Sequence, residues 1–159
     1  MSAPTTPLEW LTVLSRDAAA TFVVTVGFAL LFAVPRRYLL GSALAGVLGH
    51  VARTAAVERG VPLELATLIG ATTIGAVSAL LARRVRVPMS LFSMSAMIAL
   101  VPGTFAYRTM LALIALVSTP SPPASLATDA LVLGTRTALV VGAIAVGVVS
   151  PSLFLDRSR

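Results

Sequence analysis

Residues 39–57 read LLGSALAGVLGHVARTAAV, and whether this stretch crosses a bilayer decides the direction of every helix around it. It is close to the roughly 20 residues needed to span a hydrocarbon core. It is also rich in small residues (Gly41, Ser42, Ala43, Gly46, Gly49) and carries His50 and Arg53. Charge placement settles the reading. If the stretch crosses, Arg36-Arg37, Arg83-Arg84-Val85-Arg86, and Arg157 with Arg159 all fall on one side, which the positive-inside rule makes cytoplasmic. If it does not cross, the Arg83 cluster moves outside. The sequence therefore predicts five crossings, with the amino terminus outside and the carboxy terminus cytoplasmic.

Four other apolar runs flank this one. Ala18 to Val34 is closed by Pro35, Leu63 to Ala82 opens after Pro62, Met89 to Val117 opens after Pro88, and Ala130 to Val149 is closed by Ser150-Pro151. Proline is tolerated at such ends because the first helical N–H has no partner to lose. Ser118 to Asp129 holds three Pro and no basic residue, the composition of an extended external loop. Met1 to Asp17 lacks the basic start of a secretory signal, so the first helix is expected to be retained. The expected fold is an all-α, polytopic membrane helical bundle of about five transmembrane helices, a single transmembrane domain over 1–159. Small residues spaced by four, Ala71-Gly75-Ala79 and Gly134-Ala138-Gly142, are expected to be helix-packing faces.

Composition agrees. Hydrophobic residues make up 57% of the chain and charged ones 11%, against about 25% charged in soluble domains, and the mean hydropathy is +0.96. The chain's solvent is the lipid bilayer. All 12 basic residues are Arg, and the net charge is +6. They lie in short clusters at the ends of apolar runs rather than on one contiguous face, which excludes nucleic-acid binding. Cysteine is absent, so disulfides, thiol catalysis and Cys-based metal sites are excluded. The six acidic residues lie near segment ends and there is one His, so a His/carboxylate metal site is unsupported. No nucleophile is paired with a base, no cofactor is implied, and the chain does not read as an enzyme.

Few polar residues remain at membrane depth. His50 and Arg53, three apart, share a helix face; an ionisable group there is costly unless it faces protein or water. Arg53 can hold a carboxylate and His50 can titrate, or both side chains snorkel to the external headgroups. The second feature is Val101-Pro102-Gly103-Thr104, in the middle of the run from residue 89 to 117. As straight helix that run is roughly 43 Å long, and Pro102-Gly103 is expected to break it into two halves. Thr104 is then placed to cap the second half, whose free N–H groups attract an anion, and broken helices hold substrate carboxylates in several transporters. Tyr107 and Arg108 follow one turn on. The alternative is a simple proline kink with an interfacial Tyr-Arg pair. Ser90, Ser93 and Ser95 either line a polar path or bond back to their own helix. Trp10 and Tyr38 read as interfacial anchors.

Three strings carry a resemblance: Gly27-Phe28-Ala29 with Phe32 and Val34-Pro35; Gly49-His50-Val51-Ala52-Arg53; and Val101-Pro102-Gly103-Thr104-Phe105-Ala106-Tyr107. In this order and spacing the chain resembles the threonine/serine exporter family, specifically its small membrane subunit, equivalent to the carboxy-terminal half of the single-chain exporters. The resemblance implies secondary-active export of small amino acids such as threonine and serine, or of dicarboxylates such as succinate. It also implies a larger membrane partner subunit of the same family, and location in the cell inner (plasma) membrane. An odd number of crossings fits a five-helix partner inserted the other way up, as in inverted-repeat transporters. Carried over by motif, the resemblance points to Arg53, Pro102, Gly103, Thr104 and Tyr107 for the substrate and to His50 for proton coupling; Arg108 lies outside the motif. The competing reading is a membrane assembly or scaffold subunit without its own substrate site.

Overall fold

The computed structural model describes residues 6–156; Arg157 and Arg159, part of the charge argument above, lie outside the described residues. The described chain is helical, without strands: α1 (Pro7–Leu31), a short 3-10 turn (Arg36–Tyr38), α2 (Leu39–Glu58), α3 (Leu63–Val85), α4 (Ser90–Ile98), α5 (Gly103–Ser118) and α6 (Ala124–Asp156). α1, α2 with its leading turn, α3 and α6 are each long and apolar enough to cross a bilayer. The pair α4 and α5, bent by 58° at the 99–102 break, makes a fifth if it counts as one broken span.

Helices α1 and α6 extend beyond the sequence reading. α1 begins at Pro7, not Ala18. The N–H of Glu9 donates to Thr6 Oγ1 and the N–H of Thr6 donates to Glu9 Oε2, both at 3.2 Å, a capping box with Pro7 in the first turn. The Arg16-Asp17 pair, which ended the apolar run on paper, lies inside this helix. α6 likewise begins at Ala124, inside the stretch read as a loop, and runs past Val149 through Pro151. Pro151 cannot donate to the Gly147 carbonyl, but the Ser150 hydroxyl does so at 3.2 Å, the kind of substitution that lets proline sit within a membrane helix.

Close contacts give the directions. Asp17 faces Thr54 and Thr25 faces Gly46, so α1 and α2 are antiparallel. α3 runs back along α2, with Gly41 beside Leu81 and Gly49 beside Gly70. α4 runs with α2, since the Ser42 hydroxyl donates to the Leu91 carbonyl and Arg53 reaches the Leu100 carbonyl, each at 3.3 Å. α6 runs with α3, from the Glu64–Arg136 pair at 3.7 Å to Gly75 against Val148. The Tyr38 ring meets Phe92 edge-on at 5.7 Å. That contact places the Arg36-Arg37 turn and the Arg83–Arg86 turn at one end of the bundle. Trp10 lies at the other end, with the Arg59 guanidinium 5.0 Å from its ring centre.

Lipid supplies no hydrophobic drive between helices, so close approach at small residues holds them together. A Cβ on Gly49 would meet the Gly70 carbonyl oxygen at 2.7 Å as well as the Ile74 side chain; α2 and α3 touch backbone to backbone there. The Ala71-Gly75-Ala79 face packs as expected, Ala71 on Gly147 and Gly75 on Val148 and Pro151. On α6 the expected face packs only at its start, where a Cβ on Gly134 would lie 3.5 Å from Thr109 of α5. Gly142 meets open space and Ala138 is exposed, while Val140, Ile144, Gly147 and Val148 are buried. Small residues at a spacing of four mark a face able to pack, and α3 instead selects the face that carries Gly147 together with branched residues that fill its groove.

Candidate functional site

Asp17, Thr21, Thr25 and Ala29 follow one another at intervals of four, so one stripe of α1 carries them all, and that stripe lies on α2. Opposite stand Thr54, His50, Gly46 and Ser42. Asp17 Oδ2 accepts from the Thr54 hydroxyl at 2.9 Å and lies 2.9 Å from His50 Nδ1. One turn further in, Thr21 is 4% exposed; the next, Thr25, is fully buried, its hydroxyl seated where a Cβ of residue 46 would otherwise be. Only glycine at 46 leaves room for that oxygen.

The carboxylate stands in the field of the Arg53 guanidinium, which donates from Nη1 to the Leu100 carbonyl at 3.3 Å. That carbonyl is available because the chain breaks. Val101 N–H turns back to Ile98 and Gly103 N–H to Val101, and with Pro102 in the break no helical N–H reaches Leu100. Arg53 thus ties the α1–α2 seam to the broken α4–α5 pair. A cleft lined by His50, Arg53, Thr54, Val57 and Leu63 opens beside this group. His50 lies eight residues before the end of α2 at Glu58, roughly 12 Å along the axis. An ionised group at such depth costs about 2.5–3.5 kcal/mol or more on an isolated helix; the opposite charges of Asp17 and Arg53 and their hydrogen bonds offset that cost here.

Further inside, the hydroxyls of Thr25, Ser78 and Ser95 are buried without a hydrogen-bond partner. Thr67, Thr72, Thr109 and Thr137 each donate to the carbonyl one turn back, the usual way to satisfy a hydroxyl in lipid. The three that do not lie where α1, α3 and α4 pack around the small-residue half of α2.

Of the residues singled out by sequence, the structure brings together His50, Arg53 and the Pro102-Gly103 break. Pro102 is buried and Gly103 starts α5. Thr104 does not cap that helix. Pro102 occupies the cap position without a side-chain bond, and Thr104 is already the second helical residue, exposed. Tyr107 is 63% exposed, and Arg108 is exposed too; neither lines the cleft beside Arg53. Asp17 and Thr54 were missed. Asp17 had been placed at a segment end, and the available signal was its four-residue spacing to Thr21 and Thr25.

A bundle of apolar helices, one of them broken, with opposite charges meeting at the break beside an open cleft, is the construction of a polytopic membrane transporter. Residues 17–154 match the family described as Threonine/Serine exporter, ThrE. The chain belongs to that family, which is one of membrane transporters. No solved structure matches it.

Proposed function

We propose that the chain is one subunit of a secondary-active exporter of small amino acids such as threonine and serine, or of related small carboxylates such as succinate. It works with a larger membrane subunit of the same family in the cell inner (plasma) membrane. The observation that carries the reading is Arg53, which lines the cleft and reaches the backbone of the broken helix. A guanidinium has five N–H donors in a planar fork. One of them holds the Leu100 carbonyl, and the others suit a substrate carboxylate. Pro102 and Gly103 supply the break that frees that carbonyl, and His50 is the group for proton coupling. Thr104 and Tyr107, on the exposed first two turns of α5, come to the substrate path where the partner subunit meets this helix.

The Arg36-Arg37 and Arg83–Arg86 turns share one end of the bundle, which the positive-inside rule makes cytoplasmic, leaving the amino terminus outside. The test is efflux of preloaded labelled threonine, serine and succinate from cells expressing this chain alone, with its larger subunit, or with neither. Export only when both are present supports the split exporter and identifies the substrate. Unchanged efflux of all three, with both chains verified in the membrane, removes the assignment.

A further inference from the structure

We propose that the arginine end of the bundle holds an anionic phospholipid, its headgroup phosphate on Arg83 and Arg84 and an acyl chain in the groove that runs along α3 beside them. The groove has a volume of about 380 Å³ and is lined by Val77, Leu80, Leu81, Arg83 and Arg84. Residues 77, 80, 81 and 84 are spaced by three and four, so they share one face of the helix. From Val77 to Arg84 is roughly 10 Å along the axis, apolar within and cationic at the mouth. A lipid has the same order, with chains inside and phosphate at the water interface. Leu80 is 56% exposed, so this face of α3 is open to the bilayer.

The surroundings decide the charge of the ligand. Leu81 leans on α2 at Gly41, its Cδ1 3.5 Å from where a Cβ of residue 41 would lie. With α2 and α3 antiparallel, that register brings the Arg36-Arg37 turn level with Val85 and Arg86. Arg36, Arg37, Arg83, Arg84 and Arg86 are all exposed. Among the described residues, Glu9, Asp17, Glu58, Glu64 and Asp129 belong to the opposite half of the bundle, and Asp156, at the end of α6, is the one acidic residue at this end. A zwitterionic headgroup carries an ammonium into this field, whereas an anionic one carries only the charge that arginines attract. Guanidinium forks match phosphate oxygens in pairs, and the apolar groove favours a lipid over a free phosphate, which has nothing to bury there. The positive-inside rule accounts for arginines at this end, but not for an apolar groove that ends on two of them. The site does not depend on what the chain transports, and its failure leaves the exporter reading where it stands.

The chain has one tryptophan, Trp10, so Trp10→Phe with Leu80→Trp puts a single fluorophore in the groove. Trp10→Phe with Ile69→Trp puts one on α3 nearer its other end, at a residue 46% exposed. Each full-length protein is reconstituted in bilayers of phosphatidylcholine and phosphatidylglycerol with matched chains, one lipid or the other brominated, and quenching gives the relative binding constant at each position. The expected result is a preference for phosphatidylglycerol of roughly tenfold or more at residue 80 and near parity at residue 69. Arg84→Gln lowers the preference at residue 80 by roughly fivefold, the worth of one arginine at an anionic surface, and Arg84→Lys, which keeps the charge, retains most of it. Inorganic phosphate, set against chloride at equal ionic strength, leaves the preference in place. Should Arg84→Gln fail to insert, the comparison of residues 80 and 69 and the phosphate competition decide without it. The proposal is overturned by equal quenching from the two lipids at residue 80, by a preference as large at residue 69, by a preference that Arg84→Gln leaves intact, or by one that inorganic phosphate removes.

Discussion

At the scale of single residues, the absence of a side chain matters as much as its presence. Gly49 and Gly142 are both glycines of apolar helices, yet one is wedged against the Gly70 carbonyl and the other faces open space. Gly49→Ala is expected to destabilise the bundle by about 1–3 kcal/mol, the usual cost of overpacking, while Gly142→Ala stays within about 0.5 kcal/mol of the wild type. Thermal unfolding in detergent checks the pair; equal midpoints for the two variants would contradict the packing described. Sequence alone does not separate these glycines, because what a Cβ meets depends on a partner helix. The same limit hid Asp17. Its partners His50 and Thr54 lie 33 and 37 residues away, and an acidic residue beside Arg16 reads locally as the end of an apolar run. His50 and Arg53 were legible because two ionisable residues inside a span stand out without knowledge of the fold.

At the scale of elements, proline reads differently according to what takes up the hydrogen bond it removes. Pro62 and Pro88 stand outside helices, and α3 and α4 accordingly begin within one residue of where the sequence places them. Pro151 lies within α6 because Ser150 compensates it, which no run-length argument detects. Pro102 does break the chain: the Ile98 carbonyl it cannot bond takes the Val101 N–H, and the Leu100 carbonyl, left without a helical donor at the break, takes Arg53. Pro102→Ala is expected to restore a helical donor and straighten the α4–α5 pair. The chain has no native cysteine, so spin labels on cysteines placed at Ser90 and Ser118 report that geometry directly. The account expects a longer mean distance in Pro102→Ala than in the wild type and a loss of export alongside it; an unchanged distance would show that contacts with other helices, not proline, hold the bend.

At the scale of the whole molecule, charge placement in the sequence grouped the arginine turns on one side, and the Tyr38–Phe92 contact gives the reason in the fold. The proposed orientation expects a cysteine at Ser121 to react with a membrane-impermeant maleimide in intact cells, and one at Arg84 to react only after permeabilisation; the reverse pattern would invert the topology. The proposed site lies where α1, α2 and the broken helix meet, and Arg53 is the residue common to all three. The most direct test is threonine efflux by Arg53→Ala against Arg59→Ala, the latter removing a cation that stacks on Trp10. Loss of a charge-assisted bond of about 1.5–3 kcal/mol predicts a decrease of roughly 10- to 100-fold for Arg53→Ala at subsaturating threonine, with Arg59→Ala near the wild type. Wild-type efflux by Arg53→Ala, with the protein present in the membrane, would contradict the assignment of this site.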